Sequence, residues 1–255
     1  MDKKCYFIDL DGTMYWGTKV IDGAIRWINY LLDNNIEFYF LTNNSSRTQE
    51  QACNHMLKMG FTDIKPHHFY TSAMAAAERV AREYPTKKEA YYIGEEGLKQ
   101  ALLSNGFHIN PDKADFLFIG LDRQATYQDY SYAVRLVKDG CKLVGTNNDR
   151  LLLSEKGVNI GNGSVVAMFE YATNSESIKV GKPHNAIIEG ALRYAKVAKE
   201  NAVIVGDNLE TDILCGNNAG IETVFVTTGV HNMEDCYRLD IKPTYIIANL
   251  TGLID

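Results

Sequence analysis

Two aspartates stand two positions apart in Phe7-Ile8-Asp9-Leu10-Asp11-Gly12-Thr13, directly after a short apolar run. Extended backbone sends residues i and i+2 to the same side, so both carboxylates are expected to face one pocket, and Gly12 permits the sharp exit turn. Two negative charges about 4 Å apart repel by roughly 1 kcal/mol in bulk water and by about 4 kcal/mol at an effective dielectric of about 20. A hard divalent cation that prefers oxygen ligands, Mg²⁺ above all, would relieve that repulsion. Taken alone, Asp9-Leu10-Asp11-Gly12 is equally well explained as a solvated turn.

Three later places repeat the pattern of polar groups after an apolar run. Phe40-Leu41-Thr42-Asn43-Asn44-Ser45-Ser46 offers hydroxyls, amides and turn N–H donors, which can hold an oxyanion without adding charge. Val180-Gly181-Lys182-Pro183 sets one lysine between residues that restrict the backbone, as a positioned phosphate-binding ammonium requires. It is not a Walker loop, because Glu176 stands at the upstream glycine position and Pro183 replaces the Ser/Thr. In Val203-Ile204-Val205-Gly206-Asp207-Asn208-Leu209-Glu210-Thr211-Asp212, Asp207 can reach a metal from the loop, while Asp212 can cap the following helix and orient metal-bound groups. Turn and cap roles explain each place singly. They do not explain all of them recurring in chain order, each after an expected strand.

Ligands of open α/β sheets collect beyond the carboxyl ends of the strands, so those strands have to be found. Short apolar runs alternate with helix-period segments throughout, the mark of parallel βαβ construction. Strands are expected at 5–8, 36–41, 69–71, 90–93, 116–119, 142–146, 178–180, 202–205, 223–226 and 245–247. Helices are expected at 24–32, 48–59, 72–83 with Ser72 as cap, 95–104, 127–138, 164–172, 186–195 and 213–218. The sequence implies an α/β chain in which a smaller α/β domain (77–177) is inserted into a core built from 1–76 and 178–255.

Composition narrows the function. The 255 residues carry 26 Lys+Arg against 32 Asp+Glu, a formal charge of −6, with 45% hydrophobic and 23% charged residues. Without Lys/Arg blocks, neither a nucleic-acid backbone nor an anionic membrane is an expected partner. Five scattered cysteines without a CxxC pair indicate neither a disulfide framework nor a thiolate zinc site. Asp9 and Asp11 interrupt the first apolar run before a leader-type segment forms, and no stretch approaches membrane-span length, so a cytoplasmic protein is expected.

Jointly these motifs resemble the four signatures of the haloacid dehalogenase-like (HAD) phosphohydrolase superfamily: Asp9-x-Asp11-Gly12-Thr13, Thr42, Lys182, and Gly206-Asp207 with Asp212. Tyr70-Thr71-Ser72-Ala73-Met74-Ala75, Tyr92-Ile93-Gly94-Glu95 and the runs around Thr42, Lys182 and Asp207 are similar to its NagD-type, 4-nitrophenylphosphatase-like branch, subclass IIA, over nearly the whole chain. The resemblance implies a Rossmann-like parallel-sheet core with an inserted α/β cap, and hydrolysis of small phosphate esters such as nucleoside monophosphates or sugar phosphates. It implies Asp9 as nucleophile, Asp11 as acid and then base, and Mg²⁺ held by Asp9, the Asp11 carbonyl and Asp207. Asp212 would support the metal, Lys182 would balance charge, and Thr42 with the Asn43 N–H would bind phosphoryl oxygens. The cap loop 145–150 would choose the substrate. Asn147-Asn148-Asp149 stands where Asn-Pro-Asp is usual, which implies a less rigid loop. A phosphomutase would share all four motifs, and a non-catalytic phosphometabolite-binding module is the non-enzyme alternative. Either a monomer or a homodimer fits.

Overall fold

The structure is a computed structural model that describes residues 4–154 and 157–254. The chain divides into two units. The first comprises Met1–Thr42, Gln49–Tyr70 and Lys182–Asp255, and the second Asn43–Thr48 and Thr71–Gly181.

The first unit is built on a six-stranded sheet in the order Tyr245–Ile247, Glu222–Val226, Ala202–Gly206, Cys5–Ile8, Phe38–Thr42, Phe69–Thr71. The first five of these pair in parallel. Strands buried on both faces must be apolar at consecutive positions, and Phe7, Ile8, Phe40, Ile204, Val205 and Phe225 are all almost fully buried. Helix Ala24–Asp33 turns Trp27, Ile28 and Leu31 into this core. Strand order reverses beside Cys5–Ile8: the chain leaves it toward Phe38–Thr42 on one side and later returns to Ala202–Gly206 on the other. In register, Ile8 lies opposite both Val205 and Phe40. The residues that follow these three strands therefore emerge together at the switch point, where α/β sheets bind ligands.

The second unit has its own parallel sheet, in the order Ile178–Lys179, Lys142–Gly145, Phe116–Ile119, Glu89–Ile93, His108–Ile109. Its central strand buries four consecutive side chains, Phe116 through Ile119, completely. Helices Ser72–Glu83, Glu96–Ser104, Tyr127–Lys138 and Asn162–Thr173 belong to it. The segment Asn43–Thr48 is tied into this unit: Gly97 N–H donates to Ser46 O at 2.9 Å and Leu121 N–H to Ser45 Oγ at 3.1 Å.

Local details depart from the sequence reading. Helix Ser72–Glu83 is capped by Thr71, whose hydroxyl accepts from Met74 N–H, and not by Ser72. The Ser72 hydroxyl instead donates to Asn43 O at 2.6 Å. The antiparallel hairpin Leu151–Ser154 with Gly157–Ile160 and the helix Met233–Leu239 were not expected. Cys5, Cys53, Cys141, Cys215 and Cys236 are all free thiols. No helix among the described residues is long and apolar enough to cross a membrane.

Candidate active site

Asp9 follows the central strand and stays in its ladder, its N–H donating to Val205 O at 2.8 Å. The residue is 8% exposed, and its Oδ1 accepts from Lys182 Nζ at 2.5 Å. Lys182 is 2% exposed and gives its remaining donors to Asp212 Oδ1 at 2.6 Å and Leu41 O at 3.0 Å. An ammonium has three N–H bonds, so this one is fully committed.

Asp207, at the end of Ala202–Gly206, is fully buried and held from two sides: Thr13 Oγ1 donates to its Oδ1 at 2.8 Å and Val230 N–H to its Oδ2 at 2.7 Å. Asp212 lies in a single π-helical turn, Leu209–Ile213. Its Oδ2 accepts from Asn208 N–H at 3.2 Å. The side chain therefore does not cap the following helix, Leu214–Ala219, as its position suggested. Lys182 captures one of its oxygens and the turn's own backbone the other.

One carboxylate oxygen from each of Asp9, Asp207 and Asp212 lies within 4.8 Å of the others. With Lys182 they leave a formal charge of −2 in a buried volume, since three carboxylates face one ammonium. The donor set is all carboxylate oxygen, which fits a hard divalent cation and would suit a soft one poorly. Electrostatics point the same way. Burial, with Asp212 and Asp207 adding to it, holds the Asp9 carboxyl well above the usual range despite Lys182. Burial and Asp212 push Asp207 up to about 6, against the Val230 and Thr13 hydrogen bonds. Burial alone would lower Lys182, but Asp212 and Asp9 outweigh it, so the lysine is held protonated.

The structure thus brings together Asp9, Lys182, Asp207 and Asp212. Thr42 ends its strand 4% exposed. Asp11 is exposed, so the two carboxylates of the first motif differ sharply in solvation. Asn43 belongs to the second unit: its carbonyl accepts from Asn147 Nδ2 at 2.7 Å, and its amide donates to Asp149 Oδ1 at 2.9 Å. The loop lacking the usual proline is restrained otherwise. Asp149 N–H donates to Asn147 Oδ1 at 3.1 Å, and Asp149 O accepts from Gly163 N–H at 2.9 Å.

Sequence reasoning placed Thr13 in the first motif without giving it a role, and missed the whole segment from Thr227 to His231. Thr227-Thr228-Gly229 directly follows the apolar strand Glu222–Val226, so the rule that found the other motifs applied here too. Gly229 and Gly12 flank the Asp207 carboxylate so closely that a Cβ on either would overlap it. Gly12 also has φ +94°, which other residues rarely adopt. Gly229→Ala isolates the steric effect. It is expected to lower stability by about 1–3 kcal/mol, as overpacking does, and turnover by at least tenfold, read from thermal melts and phosphate release. An alanine enzyme of normal activity would mean that Asp207 need not stay where it is.

Comparison with known proteins agrees with this geometry. A family model described as haloacid dehalogenase-like hydrolase matches residues 6–108, and a HAD-hydrolase-like model matches residues 179–253. The chain is 38% identical over 253 residues to the 5′-nucleotidase YutF of Bacillus subtilis, covering 98% of this chain and 97% of that protein. It is 39% identical over 252 residues to an acid sugar phosphatase of Staphylococcus epidermidis, covering 98% and 96%. A glycerol phosphate phosphatase from Mycobacterium tuberculosis, solved in complex with magnesium, superposes with a TM-score of 0.90 at 30% identity, covering 99% of this chain and 76% of that one. Relatives this similar over their full length, together with a parallel-sheet core that gathers four motif side chains at its switch point, establish that the chain belongs to the haloacid dehalogenase-like hydrolases, among the NagD-type phosphatases of subclass IIA.

Proposed function

We propose that this phosphatase is a Mg²⁺-dependent hydrolase of small phosphate monoesters that works through a phosphoaspartate on Asp9. The observation that carries the reading is the Lys182 ammonium bonded to both Asp9 and Asp212. It orients one Asp9 oxygen and leaves the other for attack on phosphorus. The Asp9–phosphorus bond forms as the ester oxygen leaves, and Asp11, exposed and able to exchange protons with solvent, protonates that oxygen. Asp11 then takes a proton from the water that hydrolyses the phosphoaspartate. Thr42 and the Asn43 N–H bind phosphoryl oxygens, and Lys182 balances their charge. Asp9, Asp207 and the Asp11 carbonyl would hold the cation, and Asp212 would support it. When bound, the cation supplies Lewis-acid neutralisation of the charge on nucleophile and phosphate.

The second unit is proposed as the cap, with loop 145–150 selecting the ester. The named relatives act on nucleotides, sugar phosphates and glycerol phosphate, all small esters, and the same class is proposed here. Phosphate release from a panel of nucleoside monophosphates, sugar phosphates, glycerol phosphate and a chromogenic ester tests this. Release from at least one class with Mg²⁺, abolished by chelation, is expected. Transfer between sugar positions without net release would identify a mutase instead.

The raised carboxylates also predict a pH dependence. Below about pH 6, Asp207 keeps its proton in the metal-free protein, and a cation has to displace it. Apparent Mg²⁺ affinity should therefore be nearly flat from pH 8 to 7 and fall by up to about tenfold per unit below pH 6. Mg²⁺ half-saturation that stays constant from pH 8 to 5 would contradict this reading.

A further inference from the structure

His231 has no part in the chemistry above, yet it is a polar side chain only 9% exposed. It ends the segment that wraps Asp207: Thr228 Oγ1 donates to Gly12 O at 3.2 Å, Val230 N–H to Asp207 Oδ2 at 2.7 Å, and His231 N–H to Asp207 O at 3.4 Å. Its ring reaches further along the loop. Nδ1 accepts from the N–H of Leu209 at 3.1 Å. Leu209 is fully buried and opens the π-helical turn, so its N–H has no partner within the turn and would otherwise be an orphaned buried donor. To accept there, Nδ1 must carry no proton, which assigns the ring proton to Nε2, on the side of Glu210 Oε2 at 3.8 Å.

Leu209 lies between Asp207 and Asp212, whose carboxylates repel each other, so the intervening turn needs a restraint that adds no further charge. Asn208 supplies part of it from within, its side chain accepting from Glu210 N–H and its carbonyl from Asp212 N–H. The imidazole supplies an anchor from outside the turn. We infer that His231 is a positioning residue which, through Leu209 N–H, holds the turn so that Asp207 and Asp212 keep the spacing a divalent cation requires. The inference rests on the proposed metal role of Asp207. It adds a residue that touches neither substrate nor cation.

The test is direct Mn²⁺ binding to the substrate-free protein, followed by electron paramagnetic resonance, in wild type and three variants. His231→Leu keeps volume and loses the acceptor. His231→Gln moves its amide out toward the ε position. His231→Asn keeps an acceptor atom near the δ position. Mn²⁺ should bind Leu and Gln variants about tenfold more weakly, the lower end of what losing a metal site's outer partners usually costs, and bind Asn within about twofold of wild type. KM for the ester at saturating metal should be unchanged in all three. Melts in chelator separate a purely structural role, which would lower stability without this acceptor-dependent order of affinities. If His231→Leu does not fold, the Gln and Asn variants carry the same contrast. Equal Mn²⁺ affinity in Gln, Asn and wild type overturns the assignment while leaving the metal site intact. If wild type itself binds no Mn²⁺, the metal reading fails and the role of His231 falls with it.

Discussion

Asp9→Asn is expected to lose at least about 10⁴-fold in kcat at saturating Mg²⁺ while melting no lower than the parent protein. Both halves follow from the same buried carboxylate. Asparagine keeps the shape, and its Oδ1 can still accept from Lys182, but no anionic oxygen remains to attack phosphorus. The stability half comes from linkage. Asp9 is held well above the ordinary carboxyl range, by burial first and by Asp212 and Asp207 next, so the folded state binds a proton there more tightly than the unfolded chain does. A carboxyl raised by folding weakens the fold as pH climbs past its unfolded value. At neutral pH without metal, the amide removes that penalty, and the melting temperature should hold or rise. Phosphate release and metal-free melts at pH 7 check the two halves separately. Residual kcat within a hundredfold of the parent would remove Asp9 as nucleophile; a collapsed melt would show that its charge is structural.

The gathering of these side chains could be read from the sequence because each follows a strand whose residues must be apolar on both faces. Phe7-Ile8 before Asp9 and Val203-Ile204-Val205 before Gly206-Asp207 are such runs, and parallel register aligns their ends. Where burial is one-sided or an element is short, the signal fades. The hairpin Leu151–Ser154 with Gly157–Ile160 leaves Leu151, Val158 and Ile160 exposed, so its apolar residues do not mark a core. Helix Met233–Leu239 buries none of its seven residues fully, and only Cys236 and Leu239 pack, half-buried, against Leu209, Ile213 and Phe225. The Thr71 cap and the partners of Asp212 are decided by tertiary contacts that spacing cannot encode. Asp212 lies five positions from Asp207 and looks like a helix cap, until Lys182, thirty positions upstream, is found bonded to it. His231 was hidden for a similar reason. Its partner, Leu209, is an apolar residue that contributes only a backbone N–H.

Lys182→Met should be the most damaging single change for the fold, and its failure should depend on pH. The lysine is 2% exposed and spends all three N–H bonds on Asp9, Asp212 and Leu41 O. Methionine fills the space of the stem but leaves three neighbouring carboxylates with no counter-charge. Breaking a buried ion pair from one side costs about 3–5 kcal/mol, because the abandoned charge stays buried. For a chain of this size that is a drop of roughly 6–20 °C in melting temperature. Without the ammonium, the already raised Asp9 and Asp207 carboxyls rise further above their unfolded values, so the deficit should be largest near pH 8 and shrink toward pH 5.5 as they protonate. Adding Asp212→Asn should recover a large part of the lost stability, since one of the stranded charges is gone. It should recover no turnover, because Asp9 would still lack the group that orients it. Lys182→Arg should not rescue either property, as a larger guanidinium with its donors spread in one plane over three nitrogens does not match three acceptors that converge on a single nitrogen. Thermal melts across pH and kcat for the three variants test the chain of argument. A methionine variant with kcat within tenfold of the parent would sink the role given to the lysine, and a stability deficit independent of pH would sink the electrostatic account of why it is buried there.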